Sequence, residues 1–77
     1  LMKVGDLVAR KIPPEDAGPY ERATSLRQLD ELGFGIVLSQ QISGRPRHKC
    51  LTVWYPKTGG IWDIAESLVE VISEANG

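Results

Sequence analysis

Hydrophobic positions in this chain fall into short segments that are rich in β-branched and aromatic residues and are bounded by glycine or proline. The clearest segments are Lys3–Val8, Gly35–Leu38 and Leu51–Tyr55. Strands of a small, strongly bent sheet have this pattern. It predicts a mainly all-β fold, and it does not indicate any chemistry.

The pattern predicts four strands before the C-terminal segment. They are Lys3 to about Lys11, Phe34 to about Gln41, His48 to Tyr55, and a strand that begins at Ile61-Trp62-Asp63. Gly5 indicates a bend or bulge in the first strand. Turns are predicted at Ile42–Pro46 and Pro56–Gly60, where turn-forming residues concentrate.

The long connection Ile12–Gly33 is predicted to be irregular in its first half, where glycine and proline interrupt any regular element. Those residues are Pro13, Pro14, Gly18 and Pro19. In the second half, Ser25 and Gln28 fit a capping box and Gly33 can end a helix. The pattern therefore predicts one short helix, whose leucines must lie on the sheet because so short a helix is not stable alone. Those leucines are Leu26, Leu29 and Leu32.

The C-terminal segment has two interpretations. As a helix over Asp63–Ala75, it would place its apolar residues on one face. As a strand over Leu68–Ile72, it would follow a single helical turn at Ala65–Ser67. We favour the strand, because Val69, Val71 and Ile72 are β-branched.

The hairpin of the third and fourth strands carries both tryptophans. If its turn spans Pro56–Gly60, Tyr55 lies opposite Ile61 and Trp54 lies opposite Trp62, and opposed residues share a face. The predicted core face consists of Leu51, Val53, Tyr55 and Ile61. The other face consists of Cys50, Thr52, Trp54 and Trp62.

Trp54, Trp62 and Thr52 are therefore candidate partner-binding residues. The alternative, which we favour, is that one or both tryptophans pack beneath the long connection or its helix.

Length and composition limit the function classes. The 77 residues are enough for one domain, and the net charge of −1 argues against non-specific coating of nucleic acid. A single cysteine, Cys50, excludes a disulfide framework, and no apolar run approaches the roughly 20 residues of a membrane span. We expect an intracellular protein that starts naturally at Met2 and binds no membrane.

One basic cluster stands out, Arg45-Pro46-Arg47-His48-Lys49. With the aromatic residues of the third strand, Arg45, Arg47 and Lys49 are candidate contacts for single-stranded nucleic acid. The alternative is a solvated hairpin tip whose charges keep the sheet from pairing with other chains. We favour the tip interpretation, because the net charge does not support a nucleic-acid-binding surface.

Metal binding and catalysis have few candidate residues. His48 and Cys50 point the same way on a strand, but a zinc site needs at least three protein ligands. We therefore expect no metal, no cofactor and no enzymatic activity.

The segments Val4-Gly5-Asp6-Leu7-Val8, Gly35-Ile36-Val37-Leu38, Val53-Trp54-Tyr55 and Glu66–Ile72 together resemble a small SH3-like barrel. In particular they are similar to short SH3-like proteins of tailed bacteriophages, including phages of marine bacteria. The resemblance implies one domain over residues 2–77 with five strands and a helical turn before the last strand. It also implies a partner-binding role, in the host cytoplasm if the protein is phage-encoded.

The resemblance does not extend to the SH3 domains of signalling proteins. These carry an Ala-Leu-Tyr-Asp-Tyr-like motif for proline-rich peptides, whereas this chain reads Asp6-Leu7-Val8-Ala9-Arg10. Trp54, Tyr55 and Trp62 could supply only part of an aromatic cage for methyl-lysine. We expect a non-enzymatic interaction module that binds a protein partner or itself. The alternative is a nucleic-acid-binding accessory protein that uses the basic turn.

Overall fold

The computed structural model describes residues 2–75, so the predicted domain end at Gly77 lies outside the described residues. The strands are β1 (Leu7–Arg10), β2 (Gly35–Ser43), β3 (His48–Tyr55), β4 (Gly60–Ala65) and β5 (Val69–Ser73). One α-helix, α1 (Pro19–Leu32), lies between β1 and β2. Short 3-10 turns cover Glu15–Ala17 and Glu66–Leu68.

The five strands form one open antiparallel sheet in the order β4-β3-β2-β1-β5. The mainly β fold, the five strands and the helical turn before the last strand are confirmed. The C-terminal segment is a strand, as favoured, and its preceding turn lies one residue later than predicted. Since β4 and β5 are the two edges of the sheet, that single turn connects them directly.

The first two strands differ from their predicted bounds. β1 begins only at Leu7, because Gly5 adopts a φ of +92° and the Asp6 amide donates to the Lys3 carbonyl in a turn. β2 continues to Ser43 through residues that were predicted to form a turn. β3 begins and ends at the predicted residues.

Helix α1 has 14 residues and begins at Pro19, so the prediction that proline and glycine exclude a helix there is wrong. Proline is tolerated at the first helical position, because its missing N–H would have no partner in the helix. Ser25 lies buried within the helix and does not cap it. Gly33 ends the helix as predicted, with a φ of +67° and its amide donating to the Leu29 carbonyl at 2.8 Å. Leu32 packs against the core, whereas Leu26 remains 45% exposed.

The core lies on the inner face of the sheet and takes residues from four strands. It consists of Val8, Val37, Leu51, Val53, Tyr55 and Val69. Gly35 lies at its centre, where a Cβ atom would overlap Val53 Cγ1 and approach Tyr55 Cε1 at 3.0 Å. Leu51, Val53 and Tyr55 were predicted for the core and are buried, but Ile61 is 63% exposed and its assignment to the core is wrong.

A buried carboxylate joins the two ends of the described chain. Asp6 accepts hydrogen bonds from the Ala75 amide at 2.7 Å and the Lys3 amide at 2.9 Å. Lys3 Nζ lies 3.8 Å from Asp6 Oδ1. These contacts, with the Ala75 amide the strongest, lower the pKa of Asp6 below its ordinary value although burial opposes them.

Among residues 2–75, no helix is long and apolar enough to cross a membrane.

Candidate functional site

The two tryptophans lie on opposite faces of the sheet, which corrects the predicted pairing. Trp54 is opposite Ile61, and Trp62 is opposite the buried Val53. The hairpin loop is one residue shorter than predicted, because Gly60 already pairs with Tyr55 in the ladder. A shift of one residue moves every side chain of a strand to the other face. Trp54 and Trp62 therefore cannot form one continuous patch on one face.

Two of the three predicted partner-binding residues lie side by side on the outer face of the sheet. Thr52 and Trp54 are two residues apart on β3 and share this face. Thr52 Oγ1 donates to Asp63 Oδ1 at 2.8 Å, and Trp54 is 37% exposed. Ile61, directly opposite Trp54, is 63% exposed and extends the apolar surface to the sheet edge.

Strand β4 is an edge strand with apolar side chains exposed on both faces. Ile61 on the outer face is 63% exposed, and Trp62 on the inner face is 55% exposed. Natural edges are commonly protected by lysine, proline or bulges. β4 has none of these, since it pairs with β3 without a register shift and its one charged residue is Asp63. Its free side can therefore accept another strand.

A groove of about 340 Å³ lies beside Trp62, between α1 and the inner face of the sheet. Its lining residues are Arg10, Gln28, Glu31, Leu32, Tyr55, Trp62, Asp63 and Ile64. Arg10 Nε is buried without a hydrogen-bond partner among the described residues. Burial raises the pKa of Tyr55, and the Arg10 guanidinium opposes this effect. Because the lining contains both the basic Arg10 and the acidic Glu31, it favours neither anionic nor cationic ligands.

The basic cluster lies at the tip of a projecting two-stranded ribbon, which we call the arm and define as residues 42–49. β4 reaches only as far as the Cys50–Ala65 pair, and β1 pairs with β2 only at Gly35 and Ile36. Within the arm, Ile42 pairs with Lys49 and Ser43 pairs with His48, without a third strand. Every residue of the arm is exposed.

The structure separates the basic cluster from the aromatic residues that were predicted to work with it. Trp54 lies six residues along β3 from His48, a distance of about 20 Å at the usual rise of a strand. Lys49 and Trp54 also lie on opposite faces, because their positions on the strand differ by an odd number. The predicted combination of Arg45, Arg47 and Lys49 with Trp54 is therefore not assembled.

The charges of the chain are segregated, a feature that the net charge conceals. The acidic residues stop at Glu31 and resume at Asp63. Residues 32–62 contain four basic residues and therefore carry +4, while the remaining residues, with five basic and ten acidic, carry −5. This segregation was not predicted, although charges counted in windows along the chain reveal it.

His48 and Cys50 each contact a neighbour on the hairpin. His48 Nδ1 lies 3.1 Å from the Pro46 carbonyl oxygen, and Cys50 Sγ lies 3.2 Å from Ser43 Oγ. Among residues 2–75, no three histidine, cysteine, aspartate or glutamate side chains are grouped so that they could hold a metal ion.

Comparisons with protein-family models, curated protein sequences and solved structures found no match for this chain. The candidate site therefore consists of two features: an apolar edge at β4 and a basic arm at the far end of the β2–β3 hairpin.

Proposed function

We propose that the protein is a non-enzymatic interaction module that associates with a second copy of itself along β4. The observation that carries the proposal is that β4 is an edge strand with Ile61 and Trp62 more than half exposed on its two faces. Pairing with another strand would satisfy its free backbone groups and remove both side chains from water.

Electrostatics and symmetry limit the register of this pairing. In an antiparallel pair of β4 strands whose sheets continue into each other, opposed side chains share a face, so one residue lies opposite its own copy and the two-fold axis passes between the two. Centred on Asp63, the pairing would oppose two carboxylates, which is destabilising. Centred on Trp62, it opposes the two indoles and places Ile61 against Asp63 of the other copy. The second register is the one we propose.

The proposal includes an SH3-like barrel. The strand order β4-β3-β2-β1-β5 supports it, because the single 3-10 turn at Glu66–Leu68 holds the ends of the two edge strands close together. A phage origin is proposed only on the sequence resemblance.

The test measures the mass of the purified protein by light scattering after size exclusion. We expect a species of twice the 8.5 kDa chain mass. In a Trp54→Phe variant, which leaves Trp62 as the single tryptophan, the emission should shift to the red on dilution as the dimer dissociates. Trp62→Lys should be monomeric, because it opposes two ammonium groups across the axis.

The matched control is Ile72→Lys. Ile72 is 58% exposed, close to the value for Trp62, and lies on the other edge strand, β5. This variant should remain dimeric. A wild-type protein that stays monomeric at its highest soluble concentration would overturn the proposal, and so would a Trp62→Lys variant that remains dimeric.

A further inference from the structure

We propose that the arm is a binding site for duplex nucleic acid, which it enters tip first through the major groove. The proposed contact is independent of self-association, because the arm and β4 share no residue. It assigns a function to residues that contribute nothing to the core.

The shape of the arm fits a groove. The arm is a ribbon of two strands that extends on the order of 10 Å beyond the last residue pair of β3 with β4, at the usual rise of a strand. The major groove of B-form DNA is about 12 Å wide and admits a two-stranded ribbon. All arm residues are exposed, so the ribbon can enter a groove without rearranging the core.

The charge of the arm is opposite to that of the phosphates that border a groove. Arg45, Arg47 and Lys49 give the arm +3, and it contains no acidic residue. None of these three side chains is engaged by a salt bridge or a side-chain hydrogen bond within residues 2–75. Outside residues 32–62 the chain carries −5, which would repel phosphates.

The geometry favours a duplex over a single strand. Binding of single strands relies on aromatic side chains that stack with the bases. The arm contains no phenylalanine, tyrosine or tryptophan, and Trp54 is about 20 Å from the base of the turn. The arm does offer one apolar side chain, Ile42, which is 63% exposed and can contact the methyl group of thymine.

The experiment measures the fluorescence anisotropy of a labelled mixed-sequence DNA duplex titrated with the full chain over a range of salt concentrations. If the three arm cations each neutralise one phosphate, the logarithm of the binding constant should fall with the logarithm of the salt concentration at a slope of about −2.7. The affinity should then drop roughly 40-fold between about 50 and about 200 mM salt. A dimer that engages both arms should give about twice this slope.

The arm variant is Arg45→Gln with Arg47→Gln and Lys49→Gln. It should bind the duplex more than tenfold more weakly at low salt and lose most of the salt dependence. The control is Lys11→Gln with Arg22→Gln and Arg27→Gln. It lowers the net charge by the same three units outside the arm and should retain most of the affinity. Circular dichroism should show both variants folded, because none of these side chains lies in the core.

Three results would overturn the inference. The first is no duplex binding at low salt, and the second is an equal loss of affinity in the arm variant and the control. The third is a clear preference for polyglutamate or for single-stranded DNA over the duplex, which would assign the arm to an acidic protein or to a single strand. In the monomeric Trp62→Lys background, duplex binding should persist, so failure of self-association and failure of the arm are distinguishable.

Discussion

The two ends of the β2–β3 hairpin share one antiparallel ladder but differ in what surrounds it. Toward the end of β3, Leu51, Val53 and Tyr55 are buried beneath further strands and α1. At the start of β3, His48 and Lys49 are exposed, and within residues 2–75 their only strand neighbours are Ser43 and Ile42. The same backbone pairing therefore has one buried end, which stabilises the fold, and one exposed end, which projects from it.

This difference separates residues needed for folding from residues available for contacts. Burial of apolar surface is the main favourable term in folding, and an exposed two-stranded ribbon contributes little of it. Alternation between buried and exposed positions continues to Tyr55 at one end and is lost at the other. Folding constrains the arm only weakly, so substitution of its charged residues should change the free energy of unfolding very little.

The largest expected effect is at the buried end. Leu51→Ala removes a side chain that is fully buried in the core and should lower the free energy of unfolding by about 2–5 kcal/mol. That is a large part of the stability of a small domain. Urea unfolding followed by tryptophan emission measures it. A loss below about 1 kcal/mol would mean that the buried end of the hairpin contributes less to the free energy of unfolding than its burial indicates.

A smaller effect is expected at the Asp6 carboxylate, in the turn that precedes β1. Because its contacts with the Ala75 and Lys3 amides lower its pKa, the ionised form stabilises the fold. That contribution is present above the ordinary value of 3.8 and is lost as the pH falls through the lower pKa of the folded state. Wild type should therefore be more stable than Asp6→Asn at neutral pH and approach it in acid. Urea midpoints of the two proteins across this range measure the difference, and a constant gap down to the lowest pH would contradict the assignment.

The sequence allowed the strand segments to be predicted where burial and residue type agree. β3 alternates apolar core residues with outward residues, and its predicted bounds are those of the structure. β2 was predicted to end near Gln41, two residues too early, because Ile42 and Ser43 precede the turn-forming Gly44 and Pro46. The start of α1 was not predicted, because proline usually interrupts a helix. Pro19 is compatible with this helix because it occupies the first helical position.

The candidate site was harder to predict, because it depends on one residue of register and on strand order. Gly59 and Gly60 are both suited to a turn, and only the ladder shows that Gly60 belongs to β4. That difference placed Ile61 in the predicted core and Trp62 on the wrong face. The exposure of β4 follows from its place at the edge of the sheet, and no local sequence pattern encodes that place.

The smallest expected effect is at Ile42 on the arm. Ile42→Thr keeps a β-branched residue in the strand, and the side chain is already 63% exposed without a third strand beside it. The free energy of unfolding should therefore change by no more than about 0.5 kcal/mol. Urea unfolding at several protein concentrations is the measurement.

A loss above about 1 kcal/mol that is the same at every concentration would mean that the arm packs within its own chain. A loss that grows with concentration would place Ile42 in an interface between copies, because only association makes stability depend on concentration. Either result would contradict the conclusion that only the buried end of the hairpin contributes to stability.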